Sequence, residues 1–190
     1  MSLPDEEAFR PHAPLLLKLA RDSIAHGLRE GQPLEVEPSQ FPSELRGTRA
    51  TFVTLQHAHT LRGCTGSLEA RRPLVADIAH NAYGSAFADP RFPPLTAAEL
   101  DELEVHLSIL SPLEQIQAES EDELIAQLRP KVDGLVIREG ERVGTFLPAV
   151  WDSLPDACRF VRELKRKAGL PDDHWSNSLQ LHRYTVVSVA

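Results

Sequence analysis

The 190-residue sequence predicts an α+β fold. Three observations carry this expectation. Short runs that alternate apolar and polar residues come in pairs across turn-forming residues, the pattern of antiparallel hairpins. Between the pairs lie longer segments whose apolar residues recur at helical spacing. Prolines and glycines then close each segment.

Taken in order, a helix starts near Pro14, where a missing N–H and a fixed φ suit the first helical position. Leu16, Ala20, Ile24 and Leu28 repeat at i+4, and Gly31 supplies the stop. Residues 32–47 hold Pro33, Pro38 and Pro42 and read as a connection. Residues 50–56 form a β-rich run, His57-Ala58-His59-Thr60 a turn, and the strand through Arg62 and Cys64 returns. Pro73 opens the next helix. Its two apolar stripes, Leu74-Ile78-Ala82-Ala86 and Val75-Ala79-Tyr83-Phe87, place it against the sheet. Asp89-Pro90-Arg91-Phe92-Pro93-Pro94 ends it. Thr96 caps a short helix through Leu103, after which Val105, Leu107 and Ile109 alternate with Glu104, His106 and Ser108. Ser120 with Glu123 forms a capping-box pattern. A second hairpin follows over 135–138 and 142–147, with Glu139-Gly140 as its turn. The last helix spans about 156–168, on a face of Ala157, Phe160, Val161, Leu164 and Ala168. Lys165, Arg166 and Lys167 suit its C-terminal dipole, and Gly169 with Pro171 ends it. Residues 179–189 read as the final strand.

The order hairpin, helix, aromatic turn, strand occurs twice. Gly63 and Gly144 stand 81 residues apart, and Phe92 and Trp175 stand 83 apart. That fits a duplicated β-β-α-β unit within one domain over 1–190. The second half has Arg142-Val143-Gly144-Thr145-Phe146 where the first has Arg62-Gly63-Cys64-Thr65-Gly66, so the thiol and the extra glycine belong to the first half alone.

Net charge is −8, from 28 acids against 20 bases, which argues against nucleic acid and anionic membrane as partners. No apolar stretch reads as a signal peptide or a membrane span. Cys64 and Cys158 form no C-x-x-C pair, so the reading is a cytoplasmic protein with reduced thiols. Phosphate-loop, hydrolase, zinc-protease and iron–sulfur motifs are absent from the sequence. His57 and His59 read as turn residues without a third metal ligand, His106 as a polar-face residue, and Cys158 as core.

Arg62, Gly63, Cys64, Thr65 and Gly66 form the leading candidate site. Alternation aims Arg62 and Cys64 at one face, and the glycines admit a close approach by ligand or backbone. The structural alternative is a buried cysteine with glycines that serve packing. Arg91 is held in a rigid proline-bounded turn with Asp89 and Phe92. It either joins Arg62, with Arg71 or Arg72, in a positive patch, or simply pairs with Asp89.

Several ordered blocks resemble the AMMECR-type domain family, the group of AmmeMemoRadiSam system protein A. They are Leu61-Arg62-Gly63-Cys64-Thr65-Gly66, Asp89-Pro90-Arg91-Phe92-Pro93-Pro94-Leu95-Thr96, Leu110-Ser111-Pro112, Asp133-Gly134-Leu135-Val136-Ile137, Leu147-Pro148, and Lys167-Ala168-Gly169-Leu170 with Trp175. Thr65 departs from the family's usual isoleucine. Ala149-Val150-Trp151 departs from the common Gln-Val-Ala. The resemblance implies a mainly antiparallel curved sheet, flanking helices and two unequal lobes. It also implies action beside a Memo-like protein and a radical SAM protein, in a modification reaction. No metal or cofactor is assigned to the chain itself.

Two functions follow as expectations. One is a binding module whose cleft, lined by Arg62, Cys64 and Arg91, takes a small anionic ligand or a peptide segment. The other is an enzyme with Cys64 as nucleophile, since nearby cations favour a thiolate, and with His80 as a candidate partner.

Overall fold

Proline and glycine punctuation places the first long helix where the sequence puts it. The structure, a computed structural model, describes residues 4–190. Helix α1 (Pro4–Phe9) has no counterpart in the sequence reading, and its Phe9 is buried in the first core. Helix α2 (Ala13–Glu30) has Pro14 in its first turn and ends at Gly31, whose φ of 70° no β-carbon residue adopts freely.

Strands β1 (Thr51–His57) and β2 (Thr60–Gly66) form the first hairpin. Its turn is Ala58-His59, both at positive φ, so His57 and Thr60 belong to strands and not to the turn. Helix α3 (Leu74–Phe87) follows and buries both of its stripes except at Tyr83 and Phe87. Strand β3 (Leu103–Leu110) then pairs antiparallel with β1. Val53 and Leu55 of β1, Leu16, Ala20 and Ile24 of α2, and Leu74, Ile78 and Ala82 of α3 share one apolar cluster. Burying each large side chain there contributes roughly 1.5–3 kcal/mol.

The second set of elements repeats the theme. Strand β4 (Glu114–Gln115) and helix α4 (Glu121–Gln127) precede the hairpin of β5 (Gly134–Glu139) and β6 (Arg142–Phe146). That turn is Gly140-Glu141, one residue later than expected. Helix α5 (Ala157–Lys167) is capped by Asp156, which accepts the Arg159 N–H. Strand β7 (Gln180–Tyr184) pairs with β5. Trp151 is fully buried and stacks on Phe160.

Two expectations fail here. The final strand is two strands: β7 joins the second sheet, while β8 (Val186–Val189) joins the first. Cys158 is exposed, because α5 turns Phe160, Val161 and Leu164 inward and leaves position 158 outside that arc.

The sheets are ordered β2-β1-β3-β8 and β4-β7-β5-β6. Edge, centre and third strand therefore correspond between β2-β1-β3 and β6-β5-β7, with a helix after each hairpin. The chain divides into two compact units, one made of residues up to Leu110 with Val187–Ala190, the other Ser111–Val186. Among the described residues, no helix is long and apolar enough to cross a membrane.

We expect one cooperative unfolding transition over 1–190. The first sheet is completed by β8, which follows the whole second unit in sequence. Both tryptophans, Trp151 and Trp175, lie in the second unit, so their fluorescence follows that unit alone. Melting by fluorescence and by far-UV circular dichroism should coincide. Separated midpoints would count against a single domain.

Candidate functional site

Strand β2 supplies the centre of the site, and its two faces do different work. Gly63 pairs with Leu55 on the core side. A β-carbon there would stand 2.0 Å from the Ser85 carbonyl oxygen, so glycine lets α3 lie directly on the strand. Cys64 pairs with Thr54 on the opposite face, and its half-buried Sγ lies 3.3 Å from Thr54 Oγ1. Leu55 pairs with Gly63 but Gln56 pairs with Leu61. Arg62 is thus the extra residue of a β-bulge, which breaks the alternation behind the expected shared face.

Released by the bulge, Arg62 reaches Glu99. Its Nε donates to Oε1 at 2.7 Å and its Nη2 to Oε2 at 3.3 Å. Glu99 also accepts the Thr96 backbone N–H at 2.8 Å, which fixes the start of the 3-10 turn Ala97–Glu102.

Asp89 ties the remaining parts together. Its carboxylate accepts the Cys64 N–H at 2.9 Å and the Arg91 N–H at 3.0 Å. It also takes a two-point contact from the Arg91 guanidinium, at 3.0 and 2.7 Å. The Phe92 ring centroid lies 5.5 Å from the Arg91 guanidinium carbon and 6.0 Å from that of Arg62. Arg62, Cys64, Asp89, Arg91 and Phe92 are therefore neighbours. Thr65 and Gly66 meet protein atoms instead. A β-carbon on Gly84 of α3 would lie 3.0 Å from the Thr65 methyl, and one on Gly66 would lie 2.4 Å from the Phe52 ring.

The charges largely cancel. Arg91 holds Asp89 far below the usual carboxylate range. Arg62, with the Thr96 N–H, brings Glu99 down to about 2. Both acids are ionised at neutral pH, so each guanidinium has a carboxylate partner. Arg71 pairs with Glu69, and Arg72 pairs with Asp77 of α3. The expected patch of net positive charge is therefore replaced by a set of ion pairs. Two donor groups stay available: Arg62 Nη1 is buried without a partner, and the Arg91 side chain is 56% exposed.

The histidines of the first hairpin and of α3 fall elsewhere. His57 pairs with Glu102 and His59 with Glu104, each at 3.0 Å. His80 is exposed on α3, and burial with the Arg72 charge lowers its pKa. The charges acting on it are Arg72 and Asp77, and the thiol's hydrogen-bond partner is Thr54. Sequence reasoning missed Glu99 and Thr54. Glu99 sits in a Thr-x-x-Glu capping pattern, which accounts for a glutamate without any distant partner.

Glu99 supplies a test of this electrostatic reading. Its lowered pKa stabilises the fold above the ordinary carboxylate range, and that gain is lost as pH falls toward the folded value. The stability gap between wild type and Glu99→Gln should narrow between about pH 5 and about pH 2. Urea titrations at several pH values check this. A gap that stays constant would mean that Arg62 does not hold the carboxylate.

The AMMECR1 family profile matches residues 17–189. This chain belongs to the AMMECR1 family. An uncharacterised AMMECR1 relative from Methanothermobacter thermautotrophicus is 38% identical over 163 residues, covering 83% of this chain and 82% of its own. One from Thermotoga maritima is 36% identical, covering 90% and 94%. The crystal structure of the uncharacterized protein PH0010 from Pyrococcus horikoshii matches with a TM-score of 0.82 at 35% identity, over 92% of this chain and 88% of that one. Two segments within the matched residues meet at this site, Leu61–Gly66 in β2 and Asp89–Thr96 after α3.

Proposed function

We propose that this AMMECR1 domain is a binding module, in which Arg62 and Arg91 engage an anionic group of a small ligand or partner segment beside Phe92 and Cys64. The observation that carries the reading is the buried, unpartnered Nη1 of Arg62. A buried donor without an acceptor costs roughly 1–3 kcal/mol, and a ligand oxygen would recover that loss. The half-exposed Arg91 guanidinium offers a second donor, and Phe92 an apolar surface. Because Asp89 and Glu99 already balance both cations, the ligand is recognised by directed hydrogen bonds more than by net charge.

A second reading, Cys64 as the nucleophile of a modification reaction, is favoured by the hydrogen bond between its thiol and Thr54. Family membership supports a cytoplasmic setting beside a Memo-like protein and a radical SAM protein.

Affinity purification of the native protein, followed by small-molecule mass spectrometry and by blotting for those two proteins, tests both readings. Wild type and Cys64→Ser should retain the same ligand or partner. Arg62→Ala and Arg91→Ala should lose it. Retention by the arginine variants with loss in Cys64→Ser would reverse the assignment.

A further inference from the structure

We propose that Cys64, Thr54 and His106 form a proton-relay row that makes Cys64 a nucleophile toward carbon electrophiles, with His106 as its base. The row comes from strand register. Thr54 of β1 pairs with Cys64 of β2 on one side and with His106 of β3 on the other. Residues directly opposite in antiparallel pairs share a face, so thiol, hydroxyl and imidazole lie in line across three adjacent strands.

One contact and one open ring nitrogen give the row its chemistry. The thiol and the Thr54 hydroxyl are already hydrogen-bonded at 3.3 Å. His106 Nε2 is buried and has no partner. Buried ring nitrogens are normally satisfied, and one left open beside a hydroxyl-bearing neighbour is a proton acceptor in waiting. The relay requires the imidazole to turn so that Nε2 meets Thr54 Oγ1, its register neighbour. Catalytic hydrogen bonds are often open in unliganded proteins.

The second half of the chain acts as an internal comparison. Its equivalent row is Thr145, Val136 and His182. The imidazole is kept, while the thiol and the central hydroxyl are both missing. Thr145 Oγ1 is instead occupied by the Leu135 carbonyl and the Tyr184 hydroxyl. Of the two rows, only the one with the thiol has the relaying hydroxyl.

The step balances without an oxidant or a metal. Sulfur forms a bond to the electrophilic carbon as the bond from that carbon to its leaving group breaks. The thiol proton passes to Thr54 Oγ1, and the Thr54 hydroxyl proton passes to His106 Nε2. The charged groups around the row are Asp89, on the Cys64 N–H, and Arg91. Arg21 and Glu104 line the same cavity as His106, a space of about 290 Å³.

Iodoacetamide labelling of the intact protein tests this, read by peptide mass spectrometry. Exposed Cys158 is the reference thiol in the same molecule. At neutral pH, Cys64 should react faster than Cys158. His106→Gln and Thr54→Val should slow Cys64 by about tenfold or more without changing Cys158. Thr54→Ser should restore the rate, which separates the relay from a packing defect. Unchanged Cys64 rates in both slowing variants, or an inert Cys64 in the folded protein, would overturn the proposal. Ligand retention by the arginine variants is read separately, so either proposal can fail alone.

Discussion

Gly63→Ala is expected to destabilise the protein by about 3 kcal/mol. The new methyl would stand 2.0 Å from the Ser85 carbonyl oxygen and 3.0 Å from its carbonyl carbon. Both are backbone atoms of α3, so no side-chain rotation relieves the clash and the helix itself must shift. That shift strains the buried bond from Ser85 Oγ to the Val53 carbonyl, now 2.7 Å. It also moves Asp89, just beyond the helix, away from the Cys64 N–H. Gly144→Ala is the internal control. At the equivalent place in β6, the added methyl would meet the Ala168 side chain at 2.9 Å. Its cost should be smaller, about 1 kcal/mol, because the clash is less deep. Urea denaturation of both variants decides the matter. Equal costs would show that α3 yields as easily as the end of α5.

Trp151→Ala should cost about 3–5 kcal/mol, the range for deleting a buried large aromatic. Trp151 is fully buried and stacks on Phe160 at 3.8 Å between ring centroids, with the planes 3° apart. Its Nε1 donates to the Asp133 carbonyl at 2.7 Å. Asp133 is itself buried and grips Arg129, so the indole also anchors the entry to β5. Trp151→Phe keeps most of the ring volume and loses the hydrogen bond, so about 1–2 kcal/mol is expected. Far-UV circular dichroism is the right readout, since the substitution removes one of two tryptophans. A Trp151→Ala cost below that of Trp151→Phe would mean the second core closes over the vacancy.

Local signals carried well. Pro14 with Gly31 and the paired stripes of α3 each rest on a short-range rule, and each holds in the structure. What sequence could not supply was pairing over distance. Nothing near Arg62 in sequence indicates a bulge, because a bulge is a mismatch between two strands. The same is true of the carboxylate at Glu99, 37 residues away. The run over 179–189 holds no proline or glycine to mark a stop, yet Thr185 divides it between two sheets. Local period alone cannot show that a strand changes partners. Cys158 was misplaced for a related reason, since a thiol beside an apolar arc looks like part of it.

The hydrogen bond from Cys64 to Asp89 also bears on how copies of this protein avoid one another. β2 is an edge strand, and an edge with free N–H and C=O groups is a template for strand addition by a second molecule. Asp89 occupies the outward N–H at Cys64. On the other sheet, Lys167 occupies the outward carbonyl of Thr145, in edge strand β6. On each edge strand one backbone group is thus taken by a charged side chain from beyond the following helix or from its last turn, one negative toward a donor and one positive toward an acceptor. Losing either charge exposes a short length of backbone to self-association, so solubility is a separate reason for these residues to be where they are.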